Sequence, residues 1–195
     1  MMQYTHSITK EQIALLPVEE FKGRAIIIET KKDAGRAVEY LSKYEKVGFD
    51  TETRPSFTKG QRFKIALMQI ATENVCFLFR LNKIGVPKAL EDFLSNDTIL
   101  KIGLSLRDDF GAIKKRSDIE PHNFLDLQNY VGQFGIGDAS LQKIYAILFG
   151  KKISKGQRLS NWEADKLSDS QQRYAALDAW ACLKIYNKLK QDNEI

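Results

Sequence analysis

Several things are scarce in this 195-residue chain, and each scarcity removes a class of protein. There are two cysteines and two histidines, and neither pair has the spacing of a zinc site or a disulfide framework. Cys76 and Cys182 lie within apolar segments and read as reduced core residues. His6 and His122 stand outside every motif and receive no role. No apolar run approaches the length needed to span a bilayer, and Met1 to Ala14 is too polar for a signal peptide. An intracellular, cytoplasmic protein is therefore expected, or a nuclear one if the source is eukaryotic, with no membrane partner. Internal repeats, low-complexity tracts and a domain-splitting linker are also missing. A formal charge of +5 permits a polyanionic partner without demanding one.

What is present is an alternation of strand and helix patterns. Residues 1–22 are expected to form a leader with a short helix, because Thr9-Lys10-Glu11-Gln12 has capping-box form and Ile13, Leu15 and Leu16 precede Pro17. Residues 23–195 are expected to form one domain. Ala25–Glu29 is β-branched and reads as a strand, and Ala34–Tyr44 carries Ala37, Val38, Leu41 and Tyr44 at helical spacing. A buried strand ending at Asp50 comes next. Ile65–Ala71 and Val75–Phe79 flank a turn at Asn74 and pair as a hairpin. A helix over Pro87–Leu94, a strand over Thr98–Gly103 and a helix from about Leu106 to Arg116 follow. Beyond Leu127 the chain reads as helical, most clearly at Leu141–Phe149 and Asp169–Gln191. The class is α/β, a mixed sheet with helices on its faces.

Acids occupy positions on this framework that acids should avoid. Asp50 and Glu52 are two apart on a strand, so both point to one face, roughly 6.6 Å apart. Such carboxylates repel unless a cation lies between them or one keeps its proton. They fit either a metal site or a charged strand end fraying into solvent. Ser105-Leu106-Arg107-Asp108 fits a capping box, giving Asp108 a structural task. Asp109 has none, yet it shares a core-facing stripe with Leu106, Phe110 and Ile113. A cation could offset its burial, or it accepts backbone N–H groups at the helix start. From Tyr174 to Tyr186 the last helix is apolar almost all round, and Asp178 is its only acid. Tyr174 lies one turn before it, which suits a buried hydrogen-bonded pair as well as a metal ligand with a phenol beside it.

Asp50 and Glu52, then Asp109, then Tyr174 and Asp178 resemble the three motifs of the DEDD 3′–5′ exonucleases, in the subgroup whose third motif is Tyr-x-x-x-Asp. The similarity runs from about Ile28 to Leu189. It is carried by Phe49-Asp50-Thr51-Glu52, Lys64–Ile70, Leu159-Ser160-Asn161-Trp162 and Gln172–Ala179. Within the family, the Werner-protein exonuclease branch looks closer than ribonuclease D. The second motif lacks the usual flanking residues, which leaves Asp108 open as the ligand, although the amphipathic stripe and the family register favour Asp109.

The resemblance implies a ribonuclease-H-like, DnaQ-like fold and a hydrolysis assisted by two Mg²⁺ or Mn²⁺ ions. Oxygen-only ligands suit these ions. Asp50, Glu52 and Asp178 would hold one; the second would be shared by Asp50 and held through water by Asp109. Tyr174 would orient the attacking water. The implied substrate is DNA, cut from its 3′ end into nucleoside 5′-monophosphates. RNA trimming is the runner-up, and a catalytically silent nucleic-acid-binding module is the alternative of a different class.

For holding the polymer, the loop after Thr53 offers Arg54, Lys59, Arg62 and Lys64, with Phe57 or Phe63 to stack on a base. A second basic run contains Lys151, Lys152, Lys155 and Arg158. The contacts expected are Arg54, Phe57, Lys59, Arg62 and Arg158, with Met68, Gln69 and Trp162 if the family geometry holds. Trp162 is also read as a packing anchor for the last helix, and Asp126 as a helix cap.

Overall fold

The computed structural model describes residues 4–61 and 63–193. The expected contact Arg62 lies outside them. At the heart of the molecule is β2 (Lys46–Thr53), a strand inside a six-stranded mixed sheet. The other strands are β1 (Arg24–Ile28), β3 (Ile65–Ala71), β4 (Val75–Phe79), β5 (Leu100–Gly103) and β6 (Phe124–Asp126), and the sheet order is β1-β4-β3-β2-β5-β6. β3 runs antiparallel to β2 and β4, whereas β1–β4, β2–β5 and β5–β6 are parallel pairs.

The helices divide between the two faces. α2 (Lys31–Leu41), α4 (Lys88–Leu94) and α5 (Leu106–Lys114) cover one face over a core that includes Val47, Phe49, Met68 and Ile70. α7 (Leu141–Phe149) and the long α8 (Asp169–Asn193) cover the other. This division follows from period-two alternation along β2: Val47 and Phe49 point to one core, so Gly48, Asp50 and Glu52 point to the other side, toward α8. α1 (Lys10–Ala14) has the expected capping box, with Thr9 and Gln12 bonding each other's backbone N–H. Phe21 is buried and packs edge-on against Trp180 of α8, at 5.8 Å between ring centroids.

Three local expectations need correction. β2 continues through both acids to Thr53, where pairing with β3 covers them, instead of ending at Asp50. A short helix absent from the sequence reading, α3 (Leu81–Ile84), follows β4 and buries Leu81 and Ile84. The Ser105/Asp108 capping box does not form. Ser105 adopts left-handed backbone (φ 62°) with no side-chain cap bond, and Asp108 is exposed. Asp126 supplies the cap from another element: its carboxylate accepts the Ser105 and Leu106 N–H groups, each at 2.9 Å, and also that of Gln128 at the start of α6 (Leu127–Tyr130). No helix among the described residues is long and apolar enough to cross a membrane.

Candidate active site

The site forms where β2 and α8 approach unusually closely. A Cβ on Gly48 would lie 1.9 Å from the Ala179 carbonyl oxygen, so only glycine lets the helix backbone come this near the strand. Gly48 is two residues before Asp50, and Ala179 directly follows Asp178. The close approach therefore brings acids from two elements together. Asp50, Glu52 and Asp178 each present a carboxylate oxygen, all within 4.8 Å of one another.

Electrostatics make this arrangement incompatible with three free charges. Burial, and then the charges of Glu52, Asp178 and Asp109, push the Asp50 carboxyl well above the ordinary range. Burial, Asp178 and Asp109 raise Glu52 to about 9, against a lowering pull from Arg158. Burial raises Asp178 to about 7, while Tyr174 and Lys155 act in the opposite sense. Asp178 is 9% exposed and its Oδ1 has no hydrogen-bond partner. A buried carboxylate oxygen without a donor, beside two further carboxylates, is a fit for a hard divalent cation. All the available donors are oxygens, which suits Mg²⁺ or Mn²⁺.

Asp109 stands apart from this trio. It sits in the first turn of α5, whose start is fixed by the Asp126 cap. Its Oδ1 accepts a hydrogen bond from the Thr51 hydroxyl on β2, between the two strand acids in sequence. Burial chiefly raises it to about 6, against that bond. Its charge reaches both Asp50 and Glu52. Of the two neighbouring acids of α5, Asp109 is half-buried and acts on the strand acids through its charge, whereas Asp108 is exposed.

Tyr174 lies one turn before Asp178 on α8, with its ring 6.0 Å from that of Trp162. Burial and the charges of Asp178, Glu52 and Asp50 raise its phenol above the ordinary value, so it stays protonated at neutral pH.

The expected nucleic-acid contacts sort into two groups. Phe57 (84% exposed), Lys59, Arg54 and Arg158 are on the surface. Arg54 pairs with Glu163 at 3.5 Å and stacks over Phe63 at 4.9 Å, while the fields of Arg158 and Lys155 act on the acids. Met68, Gln69 and Trp162 are corrected: each is 0% exposed, because β3 is buried on both faces and the Trp162 indole is sealed beneath Tyr174. They have no surface to offer a nucleotide. Trp162 does serve as a packing anchor for α8.

Two basic residues outside the expected contacts, Arg107 and Lys115, also lie near the acids. A groove of about 700 Å³ runs beside Asp109, lined by Arg54, Phe63, Arg107 and Lys115 among others. Asp108, Gly111, Ala112 and Lys115 follow helical spacing along its α5 wall, and the two small residues leave the groove open. That stripe, opposite the apolar one, was the available signal.

Comparisons with known proteins give the family and the fold. A family profile described as 3′–5′ exonuclease matches residues 25–194. The chain is 31% identical over 184 residues to the mouse bifunctional 3′–5′ exonuclease/ATP-dependent helicase WRN, covering 89% of this chain and 13% of that protein. It is 31% identical over 170 residues to an Arabidopsis thaliana 3′–5′ exonuclease, covering 84% and 57% respectively. It therefore spans less than two thirds of either relative. The crystal structure of Escherichia coli RNase D, described as an exoribonuclease involved in structured RNA processing, superposes with a TM-score of 0.78 at 21% identity. That match covers 88% of this chain and 45% of the other, and the shared fold is ribonuclease-H-like.

Proposed function

Because the chain belongs to the 3′–5′ exonuclease family, we propose that it is a metal-dependent enzyme that shortens DNA from the 3′ end and releases nucleoside 5′-monophosphates. The observation that carries the metal dependence is the trio Asp50, Glu52 and Asp178 within 4.8 Å, with its unpartnered Asp178 oxygen. These three residues would hold one divalent cation, and Asp50 with Asp109 would serve a second. Bound there, the cations supply charge to polarise the scissile phosphate and stabilise the leaving oxygen.

The chain's own groups do the rest. Tyr174, held as a neutral phenol, orients the attacking water by hydrogen bonding; it does not take the proton. The water oxygen forms a bond to phosphorus as the bond from phosphorus to the 3′ oxygen breaks. The proton lost by the attacking water passes to solvent, and the departing 3′ oxygen takes one from solvent to become the hydroxyl of the new chain end. Arg54, Arg107 and Lys115 bind the phosphates upstream in the groove beside Asp109. Phe57 stacks on an exposed base.

DNA is taken as the first reading because the motif resemblance to the Werner-type branch implies it. The fold likeness to an exoribonuclease supports RNA as the second reading. Both are tested with 5′-labelled DNA and RNA, single-stranded and with recessed 3′ ends, in Mg²⁺, Mn²⁺ or chelator. The expected result is a cation-dependent ladder shortening from the 3′ end, faster on DNA. A faster RNA ladder selects the second reading, and tight binding without any ladder refutes both.

A further inference from the structure

Gln69 is the least satisfied polar side chain next to the site. It is 0% exposed, and both its Oε1 and its Nε2 lack hydrogen-bond partners. The other buried glutamine among the described residues, Gln171 at the start of α8, uses both ends of its amide, accepting from the Ser168 N–H and donating to the Asn161 carbonyl. A buried amide with no partner is disfavoured, so its presence calls for a reason outside packing.

Register supplies that reason. Gln69 lies directly across the β2–β3 ladder from Asp50, and Leu67 opposes Glu52 in the same ladder. Directly opposed residues on one face of an antiparallel pair have Cβ atoms about 4.5–5.5 Å apart. Gln69 therefore shares the α8-facing side of the sheet with Asp50, at a distance an amide can bridge. Its other cross-strand neighbour, on β4, is the apolar Leu78. The Gln69 amide thus has one charged group opposite it, and that group is Asp50. An N–H₂ group is a donor, and a carboxylate is an acceptor only.

We propose that Gln69 is a positioning residue: when Asp50, Glu52 and Asp178 gather around a divalent cation, the Gln69 amide, unpartnered without it, turns to donate to the Asp50 carboxylate and holds it in that orientation. This rests on the metal-dependent reading above. It also accounts for a polar residue in an otherwise apolar strand interior, because groups that orient a metal-bound carboxylate are part of the site even without touching the metal.

The test uses Gln69→Met, which keeps length and volume and removes the donor, with Gln69→Leu as a second apolar variant. Mn²⁺ is titrated calorimetrically into each full chain without nucleic acid, and the metal-free melting temperature is recorded. The expected result is Mn²⁺ affinity about tenfold weaker in both variants, with metal-free melting temperatures equal to or above that of the wild type. On a DNA substrate, kcat falls while KM for DNA is unchanged. In the wild type, the Gln69 side-chain amide resonance, identified by its loss in Gln69→Met, shifts on adding Mg²⁺. Equal Mn²⁺ affinity in wild type and both variants overturns the proposal alone. So does a marked drop in metal-free melting temperature without weaker Mn²⁺ binding, which assigns Gln69 to packing. A wild type that binds no Mn²⁺ instead overturns the metal-dependent reading on which the proposal stands.

Discussion

Two sites along α8 bury carboxylates and treat them in opposite ways. Glu19 is 5% exposed, and every part of its carboxylate is occupied. Oε2 accepts from the Tyr145 hydroxyl at 2.6 Å and from Lys184 Nζ at 3.2 Å, while Oε1 accepts from Lys151 Nζ and the Glu20 N–H, both at 3.1 Å. Burial alone would raise it, but Tyr145, Lys151, the Glu20 N–H and Lys184 together lower it to about 2. At the other site, Asp50, Glu52 and Asp178 face one another, one oxygen has no partner, and all three carboxyls are raised. Burial of acid does not distinguish the two sites. Satisfaction does: a structural acid brings its donors from the chain, whereas a ligand acid leaves room for a charge the chain lacks.

The sharpest way to break this comparison is to remove one acid from each site. Asp50→Asn should reduce cleavage by more than about 10²-fold, since outer groups of metal sites alone account for about 10–100-fold. Its metal-free melting temperature should hold or rise, because a like charge is gone; an unchanged cleavage rate would remove Asp50 from the site. Glu19→Ala should do the reverse. It leaves the O–H of the buried Tyr145 without its acceptor, the hydroxyl keeping only the bond it accepts from Lys184, and should lower stability by about 2 kcal/mol with cleavage intact. Urea unfolding and the ladder assay check both. Smaller still is Ser105→Asn, at the left-handed residue that starts α5. Asparagine tolerates that backbone better and should raise stability by about 0.5 kcal/mol, seen as a later urea midpoint.

The satisfied site and the unsatisfied one were not equally legible in the sequence. Asp109 and Asp178 are visible because each interrupts an apolar helix face, and Asp50 and Glu52 because two carboxylates share one face of a strand end; both are local signals. Strands such as Ile65–Ala71 and Val75–Phe79, and the helix Leu141–Phe149, were readable for the same reason in reverse, as clean patterns with turn residues between them. Glu19 carries no local signal because its side-chain partners are 126 to 165 residues away, in α7, the following loop and α8. The α5 cap was misread for that reason too: Ser105 and Asp108 have the local form of a capping box, but Asp126 reaches the same N–H groups from β6 and prevails. The closeness of α8 to β2 at Gly48 was likewise hidden, since a glycine in a strand does not announce which backbone will approach it.

The most direct test of the contrast is the melting temperature from pH 5 to 9, with and without Mg²⁺. The raised carboxyls, at about 6 for Asp109, 7 for Asp178 and 9 for Glu52, hold protons in the folded chain that the unfolded chain has released. Their favourable contribution is complete below the unfolded values near 4 and is lost as pH rises through those folded values. Glu19, at about 2, changes nothing in this window. Lys101, lowered to about 8 by burial, works the other way near the top of the range, so the quantity to read is the difference between the two curves. That difference should be small at pH 5 and grow steadily toward pH 9, as Mg²⁺ meets charges that otherwise repel, and Asp178→Asn should shrink it. Superimposable curves across the whole range would mean that the acids at β2 and α8 do not form a cation site.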